Sequence, residues 1–432
     1  MPHMLDSQAP DFAAAFDHLL GLREAAQPAL DRVVVEIIGD VRARGVDAVL
    51  ELTAQFDRLQ LTPETVELSQ EEIAAEIAKV SPAERTALEQ AAQRIRAYHE
   101  RQLPEDADWT DETGTRLGWR WTPVDRAGLY VPGGLASYPS SVLMNAIPAT
   151  VAGVQDLIIC APTPDGQINP LVVLAAQLGG VSRIFRVGGA QAIAAMAYGA
   201  APIPPVDVIT GPGNAYVAEA KRQVFGRVGI DMIAGPSEVL IIADKDNDPD
   251  WIALDLMAQA EHDAEAQAIL ITDDADLAKA VAAAVDRRLE TLQRATIAGK
   301  SWTGYGAIIK VADLSEAPSL ANRIAPEHLE LMCLAPDTLL ADIRHAGAIF
   351  IGQFTPEAIG DYVGGPNHVL PTAGSARFSS GLSVLDFMKR TTISALTSAA
   401  LRAVGPAAAT LARSESLEAH ALSVERRLEA LN

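Results

Sequence analysis

The chain has 432 residues, 49% of them hydrophobic and 21% charged, and carries a formal charge of −22 at pH 7. That length predicts at least two cores, and that composition excludes a disordered chain. The acidic balance argues against nucleic acid and anionic membranes as partners, because both need a clustered basic surface, and leaves small-molecule chemistry as the expectation.

The N-terminus, MPHMLDSQAPDFAAAFDHLL, has no basic stretch followed by an apolar core, so no signal peptide is expected. No run of 18 uncharged apolar residues occurs, which argues against a membrane span and leaves the cytoplasm as the default compartment. Cys160 and Cys333 lie in the apolar runs DLIICAP and LELMCLAP, as buried, reduced thiols would.

Residues 11–105 place apolar positions at helical spacing, with Ser81-Pro82 marking a helix start. From about 124 onward short β-branched runs alternate with helical stretches, the signature of parallel βαβ units. The predicted strands are AGLYVP, DLIICAP, RIFRVGG and VDVITGPG, then EVLIIAD, AQAILIT, GAIIKV, LELMCL and AGAIFIG. Helices are expected over SVLMNAIPATVAGV, LVVLAAQLGG, IAAMAYGA, NAYVAEAKRQVF and DLAKAVAAAVDRRLETL. Two such sets predict two Rossmann-like, doubly wound α/β lobes with a boundary near Gly235-Pro236, flanked by helical N-terminal and C-terminal extensions.

The expected division is a helical segment over 1–30, one lobe from 31–128 plus 237–382, a second over 129–236, and a helical tail over 383–432. A tail of about 50 residues cannot bury a core alone and must dock on the body or on another subunit. Its last helix is expected to begin at Ser414 and Glu415.

Four stretches concentrate groups able to do chemistry. In LMAQAEHDAEAQ, Gln259 and His262 are three apart and face the same way on a helix. An amide oxygen and an imidazole suit a divalent ion, although His262 capping a helix end explains the pair as well. In IAPEHLEL the adjacent Glu327 and His328 suit a base and a water activator, or a solvated turn. The irregular tract from 359 to 390 holds Asp361 and His368 among glycines and prolines, either as a ligand loop or as a tether. In ESLEAH, Glu415 and His420 are five apart, which a solvated helix also explains.

His3, His18, His99 and His345 are expected to be structural or exposed. There is no G-x-G-x-x-G. The nearest substitutes are VGGAQAIAA, with Gln191, and ITGPGNAYVAEA, with Asn214, each a strand, a glycine turn and a helix start able to hold a phosphate. The YVPGG turn from Tyr130 to Gly134 ends an earlier strand of the same set.

Taken together, AGLYVPGGLASYPSSVLMNAIPATVAGV, ITGPGNAYVAEAK, DMIAGPSEVLIIAD, AQAEHDAEAQ, IAPEHLEL, GDYVGGPNHVLPT and ARFSSGLSVLDFMKR resemble the histidinol dehydrogenase family, from about residue 30 to the C-terminus. The resemblance implies an aldehyde-dehydrogenase-like fold and oxidation of L-histidinol through the aldehyde to L-histidine, the last step of histidine biosynthesis. It implies two NAD molecules per turnover, one zinc ion per subunit, and a homodimer with exchanged C-terminal regions.

Carried over by motif, Gln259, His262, Asp361 and a partner subunit's copy of His420 look like zinc ligands, and Glu327 and His328 like the acid/base pair. Ser237, His368 and Glu415 look like substrate contacts, alongside Gln259, His262, His328, Asp361 and His420. Tyr130, Gln191 and Asn214 look like NAD contacts. One departure stands out: Ser416 follows Glu415 where the family pattern has glycine. The zinc pattern is shared with a relative that oxidises sulfonated diols, but APEHLEL resembles the histidinol enzymes.

On residues alone two rival classes remain: a metal hydrolase with Glu327 as general base and no nucleotide, and a non-catalytic binder of a small polar ligand. Manganese or cobalt would suit the same donors as zinc.

Overall fold

The computed structural model describes residues 2–22, 28–133, 138–233 and 235–431. Two parallel sheets organise it. The five-stranded sheet runs in the order Arg183–Phe185, Asp156–Cys160, Arg126–Tyr130, Val208–Thr210, Gly229–Ile230. The six-stranded sheet runs His3–Asp6, Ala307–Lys310, Gln267–Thr272, Glu238–Ala243, His328–Met332, Ala348–Ile351. All nine predicted strands are present, and the chain crosses between the sheets from Ile230 to Glu238.

EVLIIA and QAILIT are buried at every position, because helices cover both faces of a parallel sheet and leave no side for polar residues. In the five-stranded sheet, and in the six-stranded sheet once the edge strand His3–Asp6 is set aside, the chain starts in the middle, winds outward one way, then returns to the other side. The reversal falls between Arg126–Tyr130 and Val208–Thr210 in one sheet, and between Glu238–Ala243 and His328–Met332 in the other. Such switch points open a crevice between diverging connections.

Several expectations need correction. The helices preceding residue 124 were expected on the lobe of 237–382. Instead Pro28–Arg44 packs on the helices Gly189–Tyr198 and Ala215–Val224 of the five-stranded sheet, burying Val34, Ile37, Ile38 and Val41 beside Ile193 and Met196. Pro82–His99 packs on Pro139–Ala152 of the same sheet, with Ala91, Ala92 and Ile95 in its core. These small and branched faces fill surfaces that four crossover helices leave open.

The segment 1–30 is not helical throughout: His3–Asp6 is a strand paired with Ala307–Lys310, and Phe12–Gly21 buries Phe16 and Leu19 against the six-stranded sheet. The tail of 383–432 begins with another strand, Met388–Ala395, antiparallel to Arg116–Pro123, which in turn pairs with Ala107–Thr110. Ser414 ends the helix Ser398–Ser414 rather than starting one, and the last helix is Glu418–Glu429. Between them Ser416 has φ of +62°, the left-handed region where the family's glycine would sit without strain. Both cysteines are free, Cys160 buried and Cys333 half-buried.

Candidate active site

A helix that joins two parallel strands must run antiparallel to them, so its C-terminal end returns to the sheet's amino-terminal rim. Pro249–Ala260 does this, started by Asp248, whose side chain accepts from the Asp250 N–H, and by Pro249 at the first position. Its last turn brings Gln259, fully buried, to the rim, and His262 follows just beyond the helix end.

At the same rim the helix Ala317–Ile324 ends on Ala325, with φ of +49°, and Pro326 turns the chain into Glu327 and His328. Glu327 is buried and clasped by Glu238: the Glu238 N–H donates to Glu327 Oε2 at 3.0 Å, and the Glu327 N–H donates to Glu238 Oε2 at 3.3 Å. His328 Nδ1 donates to the Glu238 carbonyl at 3.0 Å. That bond fixes the tautomer and leaves Nε2 as the acceptor nitrogen. Among the described residues Nε2 has no hydrogen-bond partner, and it lies 4.0 Å from Asp361 Oδ1. Burial pushes the His328 imidazole down to about 4, against the pull of Asp361, so the ring is a neutral base across the physiological range.

The helix Glu357–Tyr362 supplies Glu357 and Asp361, four apart on one face. Burial raises the Glu357 carboxyl well above its ordinary value, and the neighbouring carboxylates Asp361, Glu330 and Glu327 add to the rise. His368 Nδ1 donates to the Asp361 carbonyl at 2.9 Å, and its Nε2 meets the Ser141 hydroxyl at 3.2 Å. Both ring nitrogens of His368 are thus engaged, and burial lowers its basicity.

The five-stranded sheet faces this rim with its carboxyl-terminal end. Gly211 has φ of +113°, and a Cβ there would lie 2.1 Å from the Tyr130 carbonyl oxygen, so only glycine closes this turn. The turn is braced by a buried Lys221–Asp231 pair: Asp231 Oδ2 accepts from the Gly211 N–H at 2.8 Å, and Lys221 Nζ donates to the Gly211 carbonyl at 3.0 Å. Asn214 caps Ala215–Val224 by accepting from the Val217 N–H at 3.2 Å. Tyr130 and Gln191 are buried, the Tyr130 hydroxyl accepting from the Gly189 N–H at 3.1 Å and Gln191 lying beside Gly189 at the start of its helix. Gly134 of the YVPGG turn lies outside the described residues.

Between the two faces lies a cleft of about 590 Å³. It is lined by Asn214, Ser237, Gln259, His262, Glu327, His328, Asp361 and His368, eight of the twelve residues singled out in the sequence. Tyr130 and Gln191 are buried and do not line it. Glu415 and His420 do not line it; both are exposed on the tail. Glu238, Glu357, Ser141 and the Lys221–Asp231 pair were not anticipated. Glu357 had a signal in its four-residue spacing to Asp361, while the others depend on contacts across the fold.

The cleft suits a cation. Gln259, His262 and Asp361 offer an amide oxygen, an imidazole and a carboxylate, and the donor atoms of His328, Glu357 and Asp361 all lie within 4.8 Å of one another. The bare, buried Nε2 of His328 is costly unless something meets it.

The family model for histidinol dehydrogenase matches residues 22–428. Histidinol dehydrogenases of Ruegeria pomeroyi and Cereibacter sphaeroides are 69% and 67% identical to this chain, each over 432 residues and the full length of both sequences. The crystal structure of histidinol dehydrogenase from Elizabethkingia anophelis superposes with a TM-score of 0.94 at 35% identity, covering 100% of this chain and 99% of that one.

Proposed function

The chain belongs to the histidinol dehydrogenase family, oxidoreductases of histidine biosynthesis, and from that premise we propose that this cleft oxidises L-histidinol to L-histidine using zinc and NAD. The observation that carries the reading is the neutral His328, with its Nε2 bare, set between Glu327 and the Gln259–His262–Asp361 donor set.

Gln259, His262 and Asp361 would hold the ion, with His420 of the partner subunit as the fourth ligand. The ion would act as a Lewis acid that orients the amino alcohol, and each of the two oxidations would pass one hydride to a separate NAD molecule. Nε2 of His328 removes the hydroxyl proton in the first oxidation, its ring steadied by the Nδ1 bond to Glu238. His328 sheds that proton to solvent, Glu327, held by the same residue, deprotonates the water that adds to the aldehyde, and His328, neutral again, takes the hydroxyl proton of the hydrate. Ser237 and His368 border the substrate from the rim, His368 mainly by fixing Asp361. Asn214 and the braced Gly211 turn present a helix N-terminus to the dinucleotide, with Tyr130 and Gln191 buried beside Gly189.

The tail supports a homodimer with exchanged C-terminal regions. Its two helices pack on each other and bury only Ala400, Gly405, Ala409 and Ala421, while Leu411 is 62% exposed. Glu415 and His420 are then offered to a neighbour, Glu415 to the substrate. Among the described residues no helix is long and apolar enough to cross a membrane, which agrees with a cytoplasmic enzyme. The test is to supply L-histidinol and NAD with and without a chelator. Two reduced NAD per histidine, lost on chelation, are expected; hydrolysis without nucleotide would overturn the reading.

A further inference from the structure

Gln259 presents a problem that the other donors do not. A carboxylate or an imidazole nitrogen has no wrong end, but a primary amide has one: its two arms are equal in shape, and only the oxygen can bind a cation. Gln259 is fully buried on the last turn of its helix, so solvent cannot decide which arm faces the cleft.

Glu357 can decide. It is 1% exposed, and its main chain is anchored by an N–H that donates to Glu330 Oε1 at 2.7 Å. In the orientation that satisfies both partners, the Gln259 amide nitrogen donates to Glu357 Oε1 at 2.8 Å and to Oε2 at 3.3 Å. Burial favours the protonated carboxyl, but a cation in the adjoining cleft favours the carboxylate, whose two oxygens only accept, so the reverse orientation would then set oxygen against oxygen. The same carboxyl lies 3.9 Å from His328 Nδ1, and its helix carries Asp361 one turn on.

Resting on the reading of Gln259 as a zinc ligand, we infer that Glu357 is a positioning residue that locks the Gln259 amide with its oxygen toward the ion. Partners of this kind around a metal site change affinity by about 10- to 100-fold when removed.

The lock predicts a shared loss of zinc affinity among variants of the full-length holoenzyme, read as the chelator concentration that strips half of the zinc. Glu357→Met removes the acceptor and should lower that midpoint by about 10- to 100-fold. Glu357→Gln sets a donor beside its acceptor, so that, like a water, it no longer chooses between the two ends of the Gln259 amide, and it should lower the midpoint as well despite its matching shape. If Glu357→Met does not fold, Glu357→Ala serves, with the same loss expected: a water filling the gap both donates and accepts, and so does not choose between the two ends of the amide. An unchanged midpoint in the Met or Ala variant overturns the inference. So does a Gln variant that holds the parent midpoint, which would mean that the amide needs no acceptor-only partner to choose its end. Gln259→Met separates the two levels: if it too leaves the midpoint unchanged, the ligand reading itself has failed, whereas a fall there without one in Glu357→Met sinks the lock alone.

Discussion

The two sheets have the same winding and present opposite ends to one cleft. The five-stranded sheet offers its carboxyl-terminal end, where a glycine turn, a capped helix N-terminus and a braced backbone form the wall. The six-stranded sheet offers its amino-terminal rim, where Glu238, Glu327, His328, Glu357 and Gln259 are buried and hold one another. One wall therefore suits binding of a large anionic cofactor through main-chain geometry, and the other suits proton transfer through side chains of shifted basicity. The lesson is that a repeated architecture divides its labour by which end of the strands it turns inward.

The largest effect would come from breaking the assumption that one chain owns both walls. His262→Asn and His420→Asn should each abolish turnover with little loss of fold, since each removes one ligand of four. Mixing the two inactive variants under conditions of subunit exchange should restore about a quarter of the parent activity, because half of the dimers are hybrids with one intact site. No recovery would mean that a single chain completes its own site.

A sharper cut within the side-chain wall is Glu327→Gln. It should slow oxidation of the supplied aldehyde by about 100-fold or more while the alcohol step stays within a few-fold, measured as separate half-reactions. Equal losses would contradict the division between Glu327 and His328.

On the opposite wall, Asn214→Ala should raise the KM for NAD by about tenfold, ~1.4 kcal/mol, with kcat nearly kept. A fall in kcat alone would move Asn214 to the chemical side of the comparison.

A separate effect, on stability and not on turnover, follows from the buried rings. His328 is held down to about 4 by burial, and His99 and His368 are lowered for the same reason. Below about pH 6.5 the unfolded chain protonates these rings more readily than the folded chain, which keeps His328 neutral down to about 4. Stability should therefore fall as the pH drops from about 6.5 toward 4, by up to ~1.4 kcal/mol per pH unit from His328, with His99 and His368 acting in the same direction. Urea unfolding at several pH values reads the slope, and a flat profile would mean that the rings accept protons in place.

Much of this architecture is legible in the chain. Buried parallel strands such as EVLIIA and QAILIT carry so strong a run of branched residues that nothing else fits them. HMLD, ADWT, RLGWRWTP and MKRTTISA are half-exposed and rich in polar residues, and they become strands only because a partner edge is waiting. The same limit applies to the cleft. Gln259, His262, Glu327, His328 and Asp361 sit in dense polar clusters that stand out locally, but Glu238 looks like the polar first residue of a strand until Glu327 and His328 are seen resting on it. Sequence distance hides it, since 89 residues separate Glu238 from Glu327.

The two borders of the six-stranded sheet differ in how they are finished. On one side Ala307–Lys310 would be the outermost strand, an apolar ribbon with unsatisfied main-chain groups, had His3–Asp6 not zipped along it, with Asp6 drawn to Lys310 at 3.3 Å. Four short, partly polar residues thus act as a selvedge that keeps foreign strands from adding on. A protease or an altered translation start that removed the residues before Ser7 would leave the cleft's own side chains in place, yet turn a well-behaved molecule into one that recruits its neighbours into aggregates.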